Sequence, residues 1–132
     1  TNVLAQGILP VIISTMQIII ETLSRKELAQ MSQASFGSLV KAVVDVEREI
    51  LAVNAELHSD LEALLIENGS KQSALWGINL YPELSGESFV EFDSMINMRP
   101  SQGNRSRGVE DAKTRGKIIE IVTKRITDDL PA

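Results

Sequence analysis

The residues best suited to hold an anion lie in one polar loop near the carboxyl end of the chain. Arg99, Arg105 and Arg107 lie in or beside residues 100–108, which contain Pro, Gly and polar side chains. Guanidinium groups offer forked donors, glycines free the backbone N–H groups, and the helix expected next adds partial positive charge. The sequence therefore predicts an anion site built from Arg99, Asn104, Arg105 and Arg107. A phosphate-bearing small molecule or an acidic protein surface would fit such a site.

Charge is unevenly distributed along the chain. Residues 1–98 hold 5 basic and 13 acidic side chains, a balance of −8, whereas residues 99–132 hold 8 basic and 5 acidic, a balance of +3. The net charge of −5 argues against general nucleic-acid binding, because such domains are usually basic overall. Ion pairs between the loop arginines and acidic residues such as Glu110 and Asp111 are the structural alternative to an anion site.

A second group of residues could support catalysis. His58, Asp60 and Glu62 alternate, so on a strand they would share one face, and with Asp93 they could activate a metal or a water. On a helix the three side chains diverge and this hypothesis fails. The alternative function is thus a hydrolase that uses His58, Asp60 and Asp93. A second alternative is a protein-interaction module that docks through a sheet edge or through residues 1–20.

Several chemistries are excluded or left open by composition. The chain has no Cys and a single His, which excludes thiolate nucleophiles and His-rich metal sites. Its single Trp, Trp76, is interpreted as a core residue, with a base-stacking platform as the rival interpretation. Asn79 and Asn97 would be either structural clamps or ligand contacts. No cofactor and no oligomeric state is predicted.

Three helices are predicted to position these residues. Ser24 and Glu27 form a capping box that begins the first helix, and Gly37 ends it. Residues 58–68 have a second such box, Ser59 and Glu62, although the Asn-Gly pair at 68–69 also suits a hairpin; we favour the helix. The last helix is predicted over residues 112–126, with Asp111 as its N-cap.

Strands are expected in four further regions of the chain. Apolar and β-branched runs predict one strand over residues 17–21 and two strands within 39–53 that turn near 47–49. Two more are predicted over residues 75–81 and 89–98. The order of elements indicates an α+β fold, with a single mixed, mainly antiparallel sheet of about five strands and two or three packed helices.

A chain of 132 residues is expected to form one domain. We predict an N-terminal extension over residues 1–15, with few contacts to a domain formed by residues 16–132. The apolar run at residues 8–20 is shorter than the ~20 residues a spanning helix needs and is interrupted by Pro and polar residues. No positively charged segment precedes it, so no signal peptide or membrane anchor is expected, and the predicted location is the cytoplasm.

Three segments carry a resemblance to a known family. They are ELHSDLEALLIENGSKQSALWGINLYPE, EFDSMINMRPSQGNRSRGVED and the earlier VKAVVDVEREILAV. With their linked motifs His-x-Asp, Gly-Ser-x-Gln, Trp-Gly-x-Asn and Arg-Pro-x-x-Gly-Asn-Arg-Ser-Arg, they are similar to small bacterial and archaeal proteins grouped as the domain of unknown function DUF5674. The similarity runs from about Gln17 to Ile126. It implies no established activity, so function has to be argued from the residues.

Overall fold

The computed structural model describes residues 15–128, and a five-stranded antiparallel sheet is its central element. The strands, in chain order, are β1 (Gln17–Ile19), β2 (Leu23–Ser24), β3 (Val40–Asp45), β4 (Ile50–Val53), β5 (Leu75–Leu80), β6 (Val90–Glu91) and β7 (Ile126–Thr127). The main sheet has the order β1-β4-β3-β5-β6, and β2 pairs with β7 in a small parallel sheet. The helices are α1 (Arg25–Ala34), α2 (His58–Glu67) and α3 (Ala112–Arg125). The fold is therefore α+β, as the sequence predicts.

Helices cover the main sheet on both faces. Alternate residues of the strands point to opposite faces, so each strand contributes to two apolar layers. One layer contains Val44, Leu51 and Ile78 and packs against Leu28 of α1 and Ile118 of α3. The other layer joins Val43, Ile50, Ala52 and Leu75 to Leu61 and Leu65 of α2. The main sheet thus has α2 on one face and α1 and α3 on the other.

Local capping signals set the ends of α1 and the start of α3 as predicted. The Ser24 side chain accepts from the Glu27 N–H and the Glu27 carboxylate accepts from the Ser24 N–H, which completes the capping box. After α1 ends, Gly37 has a φ of 89° and donates its N–H to the Ser32 carbonyl. Asp111 caps α3 by accepting from the Thr114 N–H at 2.9 Å.

Helix α2 is present where the sequence favoured a helix over a hairpin, but the predicted capping box is wrong. The helix begins at His58, its N-cap is Leu57, and no side chain in the described part of the chain caps it. Ser59 lies inside the first turn and is not the N-cap. The His58 ring reaches the Ile78 carbonyl of β5 at 2.7 Å, and this contact holds the first helical residue against the sheet.

The strand predicted over residues 89–98 is also wrong in its extent. Only Val90–Glu91 is a strand, and a short 3₁₀ turn occupies Met95–Asn97. The Ser94 hydroxyl accepts from the Ile96 N–H at 3.2 Å, which stabilises this turn. The Asn97 side chain then takes the place of a strand partner, because its amide bonds both the N–H and the carbonyl of Gly77. Local side-chain bonding therefore replaces the continued ladder.

Two expectations concern membranes and the amino terminus. Within residues 15–128 no helix is long and apolar enough to cross a bilayer. The predicted extension, residues 1–15, lies outside the described residues except for Thr15, whose carbonyl accepts from the Asn54 side chain at 3.4 Å. The prediction that this segment makes few contacts with the domain stays a prediction.

Candidate ligand-binding groove

A groove lies on the sheet face that carries α2, beyond the area that the helix covers. The register pairs Lys41 of β3 with Asn79 of β5, and Asn79 with Glu91 of β6, so these three residues form one row across the floor. The volume is about 530 Å³. The start of α2 and the segment after β6 form the sides. The lining residues are Phe36, Leu39, Lys41, Leu57, His58, Ser59, Asn79, Tyr81, Glu91, Asp93, Ser94, Met95, Ile96 and Arg107.

His58 lies at the side of the groove and is only 8% exposed. Its Nε2 is 2.7 Å from the Ile78 carbonyl, and a carbonyl can only accept, so Nε2 carries the proton. Burial lowers the pKa of His58 below its usual value, which keeps the ring neutral near pH 7. Nδ1 is then an acceptor, and it has no hydrogen-bond partner among residues 15–128.

The absence of a side chain at Gly77 allows this arrangement. A Cβ on Gly77 would lie 2.5 Å from the Ser94 Cβ and 3.2 Å from the His58 ring. Both distances are too short for packed carbon atoms, so only glycine lets the α2 start and the segment after β6 converge on β5. Gly77 therefore determines the width of the groove.

Asn79 and Glu91 form a polar pair on the floor. Asn79 donates through Nδ2 to the Glu91 carboxylate at 2.9 Å, and the Tyr81 hydroxyl donates to the same oxygen at 2.8 Å. The bond to Glu91 raises the pKa of the Tyr81 hydroxyl, because the neutral phenol is the donor. The Asn79 Oδ1 is buried and has no hydrogen-bond partner within the described residues. Such atoms are rare in folded proteins.

Positive charge reaches the groove from three directions. Lys41 rises from the floor, with its ammonium 5.2 Å from the centre of the Phe36 ring. Arg107 enters from the loop and pairs with Asp93 at 2.6 Å, and this bond raises the pKa of the guanidinium further. The third contribution is the amino end of α2, where the N–H groups of His58 and Ser59 precede the first intrahelical bonds.

Arg99, a predicted anion ligand, is directed inward. Its guanidinium donates to the carbonyls of Leu75, Gln72 and Ile96 and stacks on the Trp76 ring at 4.3 Å. The side chain is buried, and burial lowers its pKa from the usual value. Arg99 thus joins the loop to the start of β5. Trp76 is half-buried and packs against the core from its edge, where its ring supports this arginine.

Asn104 is likewise occupied by the backbone of its own loop. Its Nδ2 bonds the carbonyls of Asn97, Ser106 and Gly108, and its Oδ1 accepts from the Glu110 N–H at 2.8 Å. Asn97 is fully buried and bonds Gly77 and the Arg107 carbonyl. Asn97 and Asn104 are therefore structural clamps.

Arg105 is exposed and does not line the groove. Its backbone N–H and that of Ser106 both donate to the Glu110 carboxylate, at 2.7 and 2.8 Å. These bonds lower the pKa of Glu110. Glu110 thus occupies the backbone donors that the sequence analysis assigned to an anion, and of the four predicted ligands only Arg107 faces the groove.

The residues predicted for catalysis are only partly brought together. His58 and Asp93 line the same groove, but Asp60 is exposed on α2, two residues or about 200° around the helix from His58. Within the described ranges no three His, Cys, Asp or Glu side chains could hold a metal ion together. The strand geometry that this hypothesis requires is absent, because residues 58–67 form a helix.

Four polar residues that line the groove were not indicated by the sequence: Lys41, Tyr81, Glu91 and Ser94. The available signal was strand alternation, since Lys41, Asn79 and Tyr81 are on one face of their strands together with Gly77. What alternation could not supply was the register between β3, β5 and β6. The bond from the Ser94 N–H to the Arg107 carbonyl, at 2.9 Å, brings the arginine loop to the same place.

Comparison with known proteins gives a family and no activity. No curated protein and no solved structure matches the chain. One family profile, described as a protein of unknown function, matches residues 17–125, which include every strand of the main sheet and every lining residue of the groove. Because the match covers most of the chain, the protein belongs to the DUF5674 family.

Proposed function

We propose that this protein binds a small molecule with an anionic group in the groove over β3, β5 and β6. The observation that carries this proposal is the convergence of the uncapped start of α2 with Lys41 and Arg107 on one cavity of about 530 Å³. Free N–H groups at a helix start and two cationic side chains are the usual partners of a phosphate or carboxylate. The site is the groove, and the loop contributes Arg107 to it.

Asp93 is the internal competitor for this anion. It pairs with Arg107 at 2.6 Å, and both side chains are about half exposed. An anionic ligand has to share Arg107 with this carboxylate, so binding is expected to be modest. Two charge-assisted bonds contribute roughly 3 kcal/mol before the costs of association. A free energy of about 3 kcal/mol corresponds to a dissociation constant of roughly 6 mM, so these two bonds alone give binding in the millimolar range or weaker.

Isothermal titration calorimetry with inorganic phosphate and with 3-phenylpropanoate tests the proposal. We expect binding of at least one of these anions, and weaker binding as salt rises, because the contacts are ionic. Arg107→Gln and Lys41→Gln should each weaken binding about tenfold, which matches the loss of one charge-assisted bond of about 1.5 kcal/mol. Lys113→Gln is the matched control, since it removes one positive charge from a residue outside the groove.

The Asp93→Asn variant is expected to bind anions more tightly than the wild type. Removing the competing carboxylate frees Arg107, so anion affinity should rise in this variant. An arginine with only a structural role would not produce that increase. If neither anion binds at millimolar concentration, the proposal is wrong. If Arg105→Ala weakens binding and Arg107→Gln does not, the anion binds at the loop surface and the groove assignment is overturned.

A hydrolytic activity is the second candidate, and one observation favours it. The Nδ1 of neutral His58 is unpaired within the described chain and lies in the same groove as Asp93. Such an imidazole could take a proton from an attacking water. Release of p-nitrophenol from p-nitrophenyl phosphate or acetate, lost in His58→Gln, would support this function. Equal rates for both proteins would exclude His58 as the base.

A further inference from the structure

Two residues that line the groove each have a hydrogen-bond acceptor with no donor among residues 15–128. One is the buried Oδ1 of Asn79, and the other is the Nδ1 of His58. The His58 ring lies over Gly77, and Asn79 is the next residue on the same face of β5. Two residues of strand span about 7 Å, which is the size of a small metabolite.

The orientation of the Asn79 amide is fixed by its neighbours. Its Nδ2 donates to the Glu91 carboxylate at 2.9 Å and to the Asp93 carbonyl at 3.4 Å. Exchanging the amide oxygen and nitrogen would set Oδ1 against that carboxylate and lose both bonds. The unpaired acceptor is therefore a consequence of the Glu91 contact, and it belongs to a residue that lines the groove.

Two carboxylates line the groove close to Asn79 in the structure. Glu91 and Asp93 both line the groove, and the Tyr81 hydroxyl keeps the Glu91 carboxylate in place. The half of the floor near β6 therefore favours a group that is cationic and rich in N–H donors. The α2 start, Lys41 and Arg107 favour an anion. The same cavity therefore favours a cationic group on one side and an anionic group on the other.

The rim of the groove adds an apolar requirement. Phe36, Leu57 and Met95 are large apolar side chains that are 45%, 55% and 63% exposed, and all three line the cavity. An apolar part of a ligand would cover them and remove their surface from water. The three preferences together describe one kind of molecule.

We propose that the ligand is a small zwitterion with an apolar side chain, of which an apolar α-amino acid is the simplest example. This inference rests on the proposed function, because the carboxylate of such a ligand occupies the anion position. Its ammonium group donates to the Asn79 Oδ1 and balances Glu91 and Asp93. Its side chain packs on Phe36, Leu57 and Met95.

The experiment compares L-phenylalanine with 3-phenylpropanoate, which lacks only the amino group, by isothermal titration calorimetry on the full chain. We expect L-phenylalanine to bind at least tenfold more tightly. Asn79→Leu removes the acceptor at similar volume and should abolish that preference while 3-phenylpropanoate still binds. Glu91→Gln removes the charge but keeps an oxygen for Tyr81 and Asn79, and should reduce the preference if the Leu variant fails to fold.

Each outcome separates this inference from the proposed function. Equal binding of both compounds, or tighter binding of 3-phenylpropanoate, overturns the zwitterion and leaves the anion site standing. Binding of inorganic phosphate and of neither organic compound would likewise overturn the zwitterion and leave the anion site standing. A preference for L-phenylalanine that persists in both variants overturns the role of Asn79 and Glu91. If neither inorganic phosphate nor 3-phenylpropanoate binds, the proposed function is wrong, and this inference, which rests on it, is wrong as well.

Discussion

Asparagine and arginine side chains have different roles in the loop that follows β6 and in the groove beside it. Asn97, Arg99 and Asn104, which we call the polar clamp, are buried and bond backbone groups through nearly every donor they have. In the groove, Asn79 keeps an unpaired acceptor and Arg107 is exposed beside Asp93. A buried polar side chain that is fully bonded stabilises the fold, whereas one left with an unpaired atom lowers stability and leaves a binding position.

The four predicted anion ligands therefore have different roles, and only one of them lines the groove. Arg99 and Asn104 hold the loop in shape, and this shape presents Arg107 to the groove through the bond between the Ser94 N–H and the Arg107 carbonyl. The polar clamp thus positions Arg107 and does not itself line the groove. Substitutions in the clamp should alter stability, and substitutions in the groove should alter binding.

The largest expected effect comes from Arg99→Ala. The change leaves the carbonyls of Leu75, Gln72 and Ile96 without their donor and removes the stacking on Trp76. The free energy of unfolding should fall by at least about 3 kcal/mol, because each hydrogen bond lost from the charged guanidinium contributes roughly 1.5–3 kcal/mol. Chemical denaturation measures this. Arg105→Ala, in the same loop but exposed, should change stability by less than about 0.5 kcal/mol. Equal effects would contradict the division between clamp and surface.

The two asparagines give the next largest difference. Asn104→Ala removes four hydrogen bonds to the loop and should lower stability by about 2–3 kcal/mol. Asn79→Ala removes the bonds to Glu91 and the Asp93 carbonyl but also removes an unsatisfied acceptor, so a loss of about 1 kcal/mol or less is expected. Urea denaturation of the two variants gives the comparison. A larger loss for Asn79→Ala would show that its Oδ1 already has a partner in the protein.

Two glycines should respond to alanine with opposite signs. Gly77→Ala brings a methyl group 2.5 Å from the Ser94 side chain, and such overpacking costs about 1–3 kcal/mol. Gly116→Ala, at an open position of α3, should raise stability by up to about 1 kcal/mol through helix propensity. Thermal unfolding followed by circular dichroism measures both. No loss in Gly77→Ala would mean that the groove is wider than the structure has it.

Much of the fold could be predicted from sequence because its signals are local. The capping box of Ser24 and Glu27, the Asp111 cap and the β-branched run that forms β3 each involve residues close in the chain. The strand predicted over residues 89–98 was wrong because its apolar alternation continues through Ser94 and Asn97. There, side-chain hydrogen bonds to the backbone end the ladder.

The site was less predictable because it depends on contacts that are distant in sequence. His58 and Arg107 were each identified, but nothing local indicates that they meet across Gly77 and Ser94. Arg99 and Arg107 lie in or beside the same loop, and both were expected to hold an anion. Contacts with residues more than 20 positions away, which are the stacking on Trp76 and the bonds to the Gln72 and Leu75 carbonyls, make Arg99 a structural residue. Arg99 is buried and stabilises the loop, whereas Arg107 is exposed and lines the groove.

The smallest effect expected is a dependence of stability on pH that arises from His58. Burial lowers its pKa in the folded protein, so below the unfolded value of about 6.5 the unfolded chain binds more protons than the folded one. Stability is therefore fully present above pH 6.5 and falls as the pH drops toward the folded pKa. The slope from one such group is at most about 1.4 kcal/mol per pH unit.

The groups facing this ring are Lys41, Asp93 and Arg107. Burial has the largest effect, followed by the bond to the Ile78 carbonyl; Lys41 and Arg107 lower the pKa, and Asp93 raises it. Denaturation of wild type and His58→Gln between pH 5 and 8 measures the dependence as the difference between two curves, which cancels the carboxylates they share. Glu49, with a pKa of about 2 beside Lys117 and Lys124, titrates outside this window. Parallel curves would mean that the imidazole titrates equally in both states and that burial does not lower the pKa of His58.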